Sequence, residues 1–209
     1  MGELTDRWTG KLVTGEFVNP PTNPVTDRDI LDPCPTNPFS TGADASTDEL
    51  FMEEALRAAQ RALEAGEVPV GAVVMVGGKI VGRGGNRNLR DSDPTAHAEI
   101  VALREASVAL GNHRLEDCEL FVTIEPCPMC AGALVHARLK RLVYGADDPK
   151  AGAIRSVMQL LNHPSLNHRM EVRAGVLAGR CAELLQSFFR LRREEKTLVV
   201  RPQSSTTNE

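Results

Sequence analysis

The stretch from Leu120 to Cys130 constrains this chain most. Leu120-Phe121-Val122-Thr123-Ile124 meets Glu125-Pro126 with no spacer, and Cys127-Pro128-Met129-Cys130 follows at once. The apolar run is short and rich in strand formers, so it reads as a buried strand. Pro126 cannot extend a sheet ladder, and a proline such as Pro128 suits the first turn of a helix. The chain must therefore pass from a buried strand straight into a helix, predicted over about Met129–Ala137. Two thiols three residues apart then face one side of that helix's first turn.

The rest of the chain supplies the layers. Ser46-Thr47-Asp48-Glu49 reads as a capping box that opens a helix with Met52, Ala55, Leu56, Ala59 and Leu63 on one face, stopped at Gly66. Val70–Val76 and Ile80–Arg83, joined through Gly77-Gly78, read as a hairpin. A polar loop covers Gly84–Pro94, and a second helix runs from near His97 to before Gly111. Arg141–Tyr144 is a further strand, Glu171–Val176 a weak strand candidate, and Arg180–Glu195 a last helix with Cys181, Leu184, Leu185 and Phe188 inward. This order implies the α/β class: three layers, α/β/α, with a mixed central sheet of about five strands and helices on both faces.

Outside this core, residues 1–46 hold six of the thirteen prolines and seven acids against three bases. The stretch reads as a Pro-rich acidic extension of flexible character; an arm anchored by Phe17, Val18, Ile30 and Leu31 is the alternative. The domain proper is expected over 47–197 and a polar tail over 198–209. The extension carries the whole net charge of −4, so the remainder is neutral and Arg169–Arg201 is basic, with eight bases against four acids. Charge thus neither demands nor excludes a nucleic-acid partner. No apolar run reaches membrane-spanning length, and no secretory or transit pattern opens the chain, which points to the cytoplasm. Five cysteines, an odd number, argue against a disulfide framework there.

The chemistry concentrates in Thr95-Ala96-His97-Ala98-Glu99 and Glu125-Pro126-Cys127-Pro128-Met129-Cys130. A catalytic zinc ion takes three protein ligands and keeps one position for water. His97, Cys127 and Cys130 supply three, each near a helix N-terminus, where the backbone favours thiolates. Cys118 lies too early on its strand and His136 at the wrong end of its helix to serve as a fourth. Glu99 is then free to take a proton from a zinc-acidified water and shuttle it as general base and acid. Separately, Cys-x-x-Cys also suits structural zinc or redox work; the pairing with His-x-Glu and Pro126 decides for catalytic zinc.

That pairing is the signature of the zinc nucleoside and nucleobase deaminases. The resemblance is broader than the signature. Val68–Val73, Gly85-Asn86-Arg87, Asp93–Ile100, Glu125–Ala133, Tyr144-Gly145-Ala146, Leu161–Pro164, Leu166–Arg169 and Phe188–Arg193 together resemble the bacterial tRNA-specific adenosine deaminase family, over residues 48 to about 196. The resemblance implies a cytidine-deaminase-like fold, one zinc ion per subunit, and hydrolytic conversion of adenosine to inosine at the wobble position. It implies a homodimer whose partner is the tRNA anticodon loop, the target base being splayed into the zinc pocket. It also implies substrate-binding roles for Asn86, Ala98, Asp148, Arg192 and Arg193. Asn86 alternatively only shapes its turn, an acid at Asp148 is not obviously favourable beside phosphate, and Arg190, Arg192 and Arg193 alternatively form a solvated face. The Pro-rich extension has no counterpart in the family's usual start. A deaminase of free guanine or cytosine, a silent zinc-stabilised RNA-binding subunit and a structural zinc module are the competing readings. Glu99 counts against the second and the missing fourth ligand against the third.

Overall fold

Apolar side chains alternate in direction along neighbouring strands, and helices cover both of the faces so made. The computed structural model describes residues 45–200. The strands are β1 (Gly71–Val76), β2 (Lys79–Gly85), β3 (Glu119–Ile124), β4 (Arg141–Ala146) and β5 (Glu171–Ala174). The helices are α1 (Ala45–Glu64), α2 (Asn88–Asp91), α3 (Ala98–Leu110), α4 (Pro128–Ala137) and α5 (Ala178–Val200). The sheet order is β2-β1-β3-β4-β5. β1 is antiparallel to β2 and to β3, while β3, β4 and β5 run parallel.

The period of two decides which helix goes where. Ala72, Val74, Leu120, Val122, Leu142 and Tyr144 pack with α3 and α4. Val73, Met75, Phe121 and Val143 pack with α1 and α5. Each fully buried Val, Leu or Phe side chain among these contributes roughly 1.5–3 kcal/mol. The hairpin turn needs a positive φ at both central residues, and Gly77 and Gly78 provide it at 55° and 77°.

The topology sets the edge at which chemistry can occur. β2 and β3 point the same way because both oppose β1. Helices α3 and α4 follow them, so both begin at one edge of one face, beyond the strand C-termini. That is where open α/β sheets place their ligands. The seating of α3 is unusually close. A Cβ on Gly84 would lie 2.0 Å from the Ala98 carbonyl oxygen, and one on Gly82 would lie 2.3 Å from that of Ala102. Only glycine lets the helix backbone approach the strand this closely.

An ionic knot closes the opposite edge. Arg141, the first residue of β4, donates to Asp48 Oδ1 at 2.8 Å and Oδ2 at 2.6 Å, and to Glu119 at 3.0 Å. Glu171 lies 3.3 Å from the same guanidinium, and Arg173 bonds Asp48. These charges tie the first turn of α1 to the starts of β3, β4 and β5.

Several expectations need revision. α1 starts at Ala45, so Ser46 lies inside its first turn, and Asp48 is spent in the buried knot rather than in a capping box. The expected loop over Gly84–Pro94 includes the end of β2 and the one-turn helix α2. The candidate strand at Glu171 is present as β5, on the sheet edge. Helix α5 extends at both ends and takes in residues 198–200 of the expected tail. Residues 1–44, including Cys34 and nearly all of the Pro-rich extension, and residues 201–209 lie outside the described residues.

Candidate metal centre

Two helix starts converge on one point. His97 is the N-cap residue of α3 and Cys127 that of α4, both in extended conformation, with φ −70° and −72°. Pro128 holds the first helical position behind Cys127, and Cys130 sits one turn on, fully buried. Neither N-cap side chain makes a capping hydrogen bond, and the imidazole and the thiol face each other. His97 Nδ1 lies 3.6 Å from Cys127 Sγ and 3.5 Å from Cys130 Sγ. The three donor atoms all fall within 4.8 Å of one another, and they form the one such cluster of His, Cys, Asp or Glu among the described residues.

This donor set fits zinc. Tetrahedral coordination at ordinary zinc–sulfur and zinc–nitrogen lengths puts S and N about 3.6 Å apart. Two thiolates and an imidazole are also the soft set that selects zinc over magnesium or calcium. One of the two thiols is held ready to ionise. The hydrogen bond from Cys130, reinforced by His97, pulls the Cys127 thiol down to about 4. Cys130 moves the opposite way, through that same hydrogen bond and its burial. The His97 imidazole is pushed up, first by its bond with Cys127.

Glu99 stands on the first turn of α3 beside this cluster. It is 3% exposed, and its carboxyl is hydrogen-bonded with Cys130. Burial pushes that carboxyl above the usual carboxylate range. The close seat of α3 on Gly84 therefore positions His97 and Glu99 together.

The other predicted residues are distributed differently. Asn86 Oδ1 accepts the Ala98 N–H at 2.9 Å, so it serves the start of α3, and its amide nitrogen has no partner among the described residues. Ala98 is fully buried. Asp148 Oδ1 accepts the N–H groups of Lys150 (2.9 Å) and Ala151 (3.2 Å), shaping the loop after β4. On α5, Arg192 bonds the Gly66 carbonyl and pairs with Glu195, and its guanidinium lies 5.4 Å from the Phe188 ring centroid. Arg190 bonds Ser187, Arg193 is exposed, and none of the three bonds the cluster.

Two buried acids escaped the sequence reading. Glu67, 2% exposed, accepts the N–H groups of Leu89 (3.2 Å) and Arg90 (2.8 Å), and so fixes the segment that follows Asn86. Glu125, 1% exposed, lies between β3 and Pro126 and accepts hydrogen bonds from the loop after β4. Burial tends to raise its carboxyl, but the donors around it, Ser156 foremost, hold it below the usual range. A charge ending an apolar strand was the available signal, since a buried charge demands partners.

Comparison with known proteins agrees with this geometry. A family model for MafB19-like deaminases matches residues 46–193. The chain is 49% identical over 152 residues to a tRNA-specific adenosine deaminase of Haemophilus influenzae, covering 72% of this chain and 88% of that one. The corresponding enzyme of Bacillus subtilis is 47% identical over 149 residues, covering 71% and 92%. A solved structure from work on A-to-I editing by tRNA:A34 deaminases at the wobble position of transfer RNA superposes with a TM-score of 0.64 at 46% identity. It covers 65% of this chain and 99% of that one. A guanine deaminase from Nitrosomonas europaea is more distant, with a TM-score of 0.60 at 26% identity over 67% of this chain and 83% of its own.

Proposed function

Because this chain belongs to the tRNA-specific adenosine deaminase family, we propose that it converts adenosine to inosine at the wobble position of a tRNA anticodon. Zinc is the proposed cofactor, held by His97 Nδ1, Cys127 and Cys130. Zinc bound there supplies a water acidic enough to ionise near neutral pH. The remaining work falls to the chain. Glu99 accepts a proton from the attacking water and delivers it to N1 of the adenine ring as C6 is attacked, then takes the second proton from the new C6 hydroxyl and passes it to the departing amine. Water and adenosine thereby give inosine and ammonia. The observation that carries this assignment is the sharing of one helix start: the turn that aims His97 at both sulfurs also buries Glu99 against Cys130.

Asn86 is the proposed reader of the flipped base. Its Oδ1 is committed to Ala98, which leaves the amide N–H groups to meet an acceptor on the purine. Arg192 and Arg193 are proposed to meet phosphates, Asp148 to order a substrate-facing loop, and Ala98 to wall the pocket floor. The partner is the anticodon loop, and the working form is a homodimer in the cytoplasm. No helix among the described residues is long and apolar enough to cross a membrane. The catalytic domain is proposed to span residues 47–197, with the Pro-rich extension before it in sequence and the polar tail after it.

The test is inosine formation in an anticodon stem-loop carrying adenosine at the wobble position, with free adenosine, guanine and cytosine beside it. Conversion of the stem-loop alone, abolished by a zinc chelator, is expected. Conversion of free guanine alone would transfer the chain to the small-molecule deaminases. Zinc binding with no turnover on any substrate would leave a silent RNA-binding subunit.

A further inference from the structure

We propose that Glu125 is a positioning residue for the substrate: its carboxylate fixes the loop over residues 147–158 as a wall of the active site. The inference rests on the deaminase reading above. Oε1 accepts the N–H groups of Ile154 (2.9 Å), Arg155 (2.7 Å) and Ser156 (3.0 Å). Oε2 accepts the N–H of Asp148 (3.1 Å) and the hydroxyl of Ser156. Five donors therefore converge on one buried carboxylate, and charge-assisted bonds of this kind are the strong ones. The next residue adds a clip, since Ala153 N–H donates to the Pro126 carbonyl at 2.9 Å. Gly152 packs so tightly that a Cβ there would lie 2.3 Å from Glu125 Oε2.

This density has a consequence for geometry. The loop follows β4, at the edge where α3 and α4 begin, and it is bonded to the two residues that precede Cys127. Loop and ligand turn thus move as one body. On its outer side the loop presents exposed Lys150 and half-exposed Val157 and Met158. An exposed cation on this loop can meet a phosphate of a single-stranded RNA loop. A buried ion here would be costly if its only task were to close a loop, because backbone turns do that without charge.

The test compares Glu125→Gln, Ser156→Ala and Gly152→Ala with the wild type on the anticodon stem-loop, with zinc content and Tm measured in parallel. The amide of Gln faces donors whichever way it turns, so it forfeits two or three acceptances. Glu125→Gln is expected to raise KM about tenfold, about 1.4 kcal/mol, with kcat and zinc content near wild type, since uniform binding is what is lost. Ser156→Ala and Gly152→Ala are expected to raise KM in the same direction, and they decide the matter if Glu125→Gln fails to fold. Unchanged KM with only a lowered Tm would overturn the inference, as would kcat lost together with zinc. A wild-type chain inert on the stem-loop would overturn the deaminase reading and this inference with it. An active wild type whose variants keep its KM would overturn the inference alone.

Discussion

Gly84 should be as sensitive as a metal ligand although it touches neither metal nor substrate. Replacing it with Ala puts a methyl group 2.0 Å from the Ala98 carbonyl oxygen and 2.6 Å from the Ala102 nitrogen. Both obstacles are helix backbone, so no side-chain rotation relieves them. Ordinary contact begins near 3.4 Å, so α3 must back away from β2 by about 1.4 Å in an interior that is close-packed. Overpacking of this kind costs about 1–3 kcal/mol of stability. The catalytic cost is larger, because Ala98 is flanked by His97 and Glu99. Metal–ligand distances tolerate about 0.2 Å, and a misplacement of about 1 Å costs on the order of a hundredfold in rate, or about 2.7 kcal/mol. Gly84→Ala is therefore expected to lose at least that much kcat/KM on the stem-loop and to bind zinc substoichiometrically, measured by metal analysis of the folded protein. Gly179→Ala, whose Cβ meets nothing within 4 Å, is the matched control and should keep both. A folded Gly84→Ala protein with one zinc per chain and wild-type turnover would refute the claim that the seat of α3 sets the site.

Four further outcomes are expected. Glu99→Ala should keep its zinc and lose turnover; retained activity would remove Glu99 from the proton path. Cys127→Ser and Cys130→Ser should lose metal and unfold at lower temperature, because metal binding is coupled to folding; one full equivalent of zinc in either would break the ligand assignment. Arg141→Ala should cost about 3 kcal/mol by denaturant titration, since it removes the two-pronged partner of buried Asp48, leaving that carboxylate Arg173, and releases part-buried Glu119. Asp48→Ala should cost less, because Arg141 keeps Glu119 and Glu171; the reverse order would show that the knot is not centred on Arg141.

The elements that sequence made legible share a property: each is specified by residues adjacent in the chain. The apolar run before Pro126 predicted β3 within a residue, and Pro128 with the two thiols predicted how α4 starts. The paired glycines at 77 and 78 gave the hairpin, and its bulge at Val74/Met75 left no signature because a bulge is a relation between two strands. Asp48 shows the same limit. Its place near Ser46 and Glu49 suggested a local cap, yet its partners, Arg141 and Arg173, are distant in sequence. Glu67 and Glu125 were unassigned for this reason as well, since their donors come from segments far along the chain, helix α2 for the first and the loop after β4 for the second.

The candidate centre was legible because two of its three proposed ligands, His97 and Cys127, are N-cap residues. An N-cap side chain sits at the helix end where backbone N–H groups are unmatched, so two helix starts brought to one sheet edge can bring their caps together. Local sequence signals predict the starts, and the right-handed β3-α4-β4 crossover brings α4 onto the face already held by α3. Sequence does not state the distance between them. That distance depends on Gly82 and Gly84, which read in isolation as loop residues or as weak points in a strand. Their function becomes visible only once α3 lies against them, and it is this contact that turns two capped helices into one centre of chemistry.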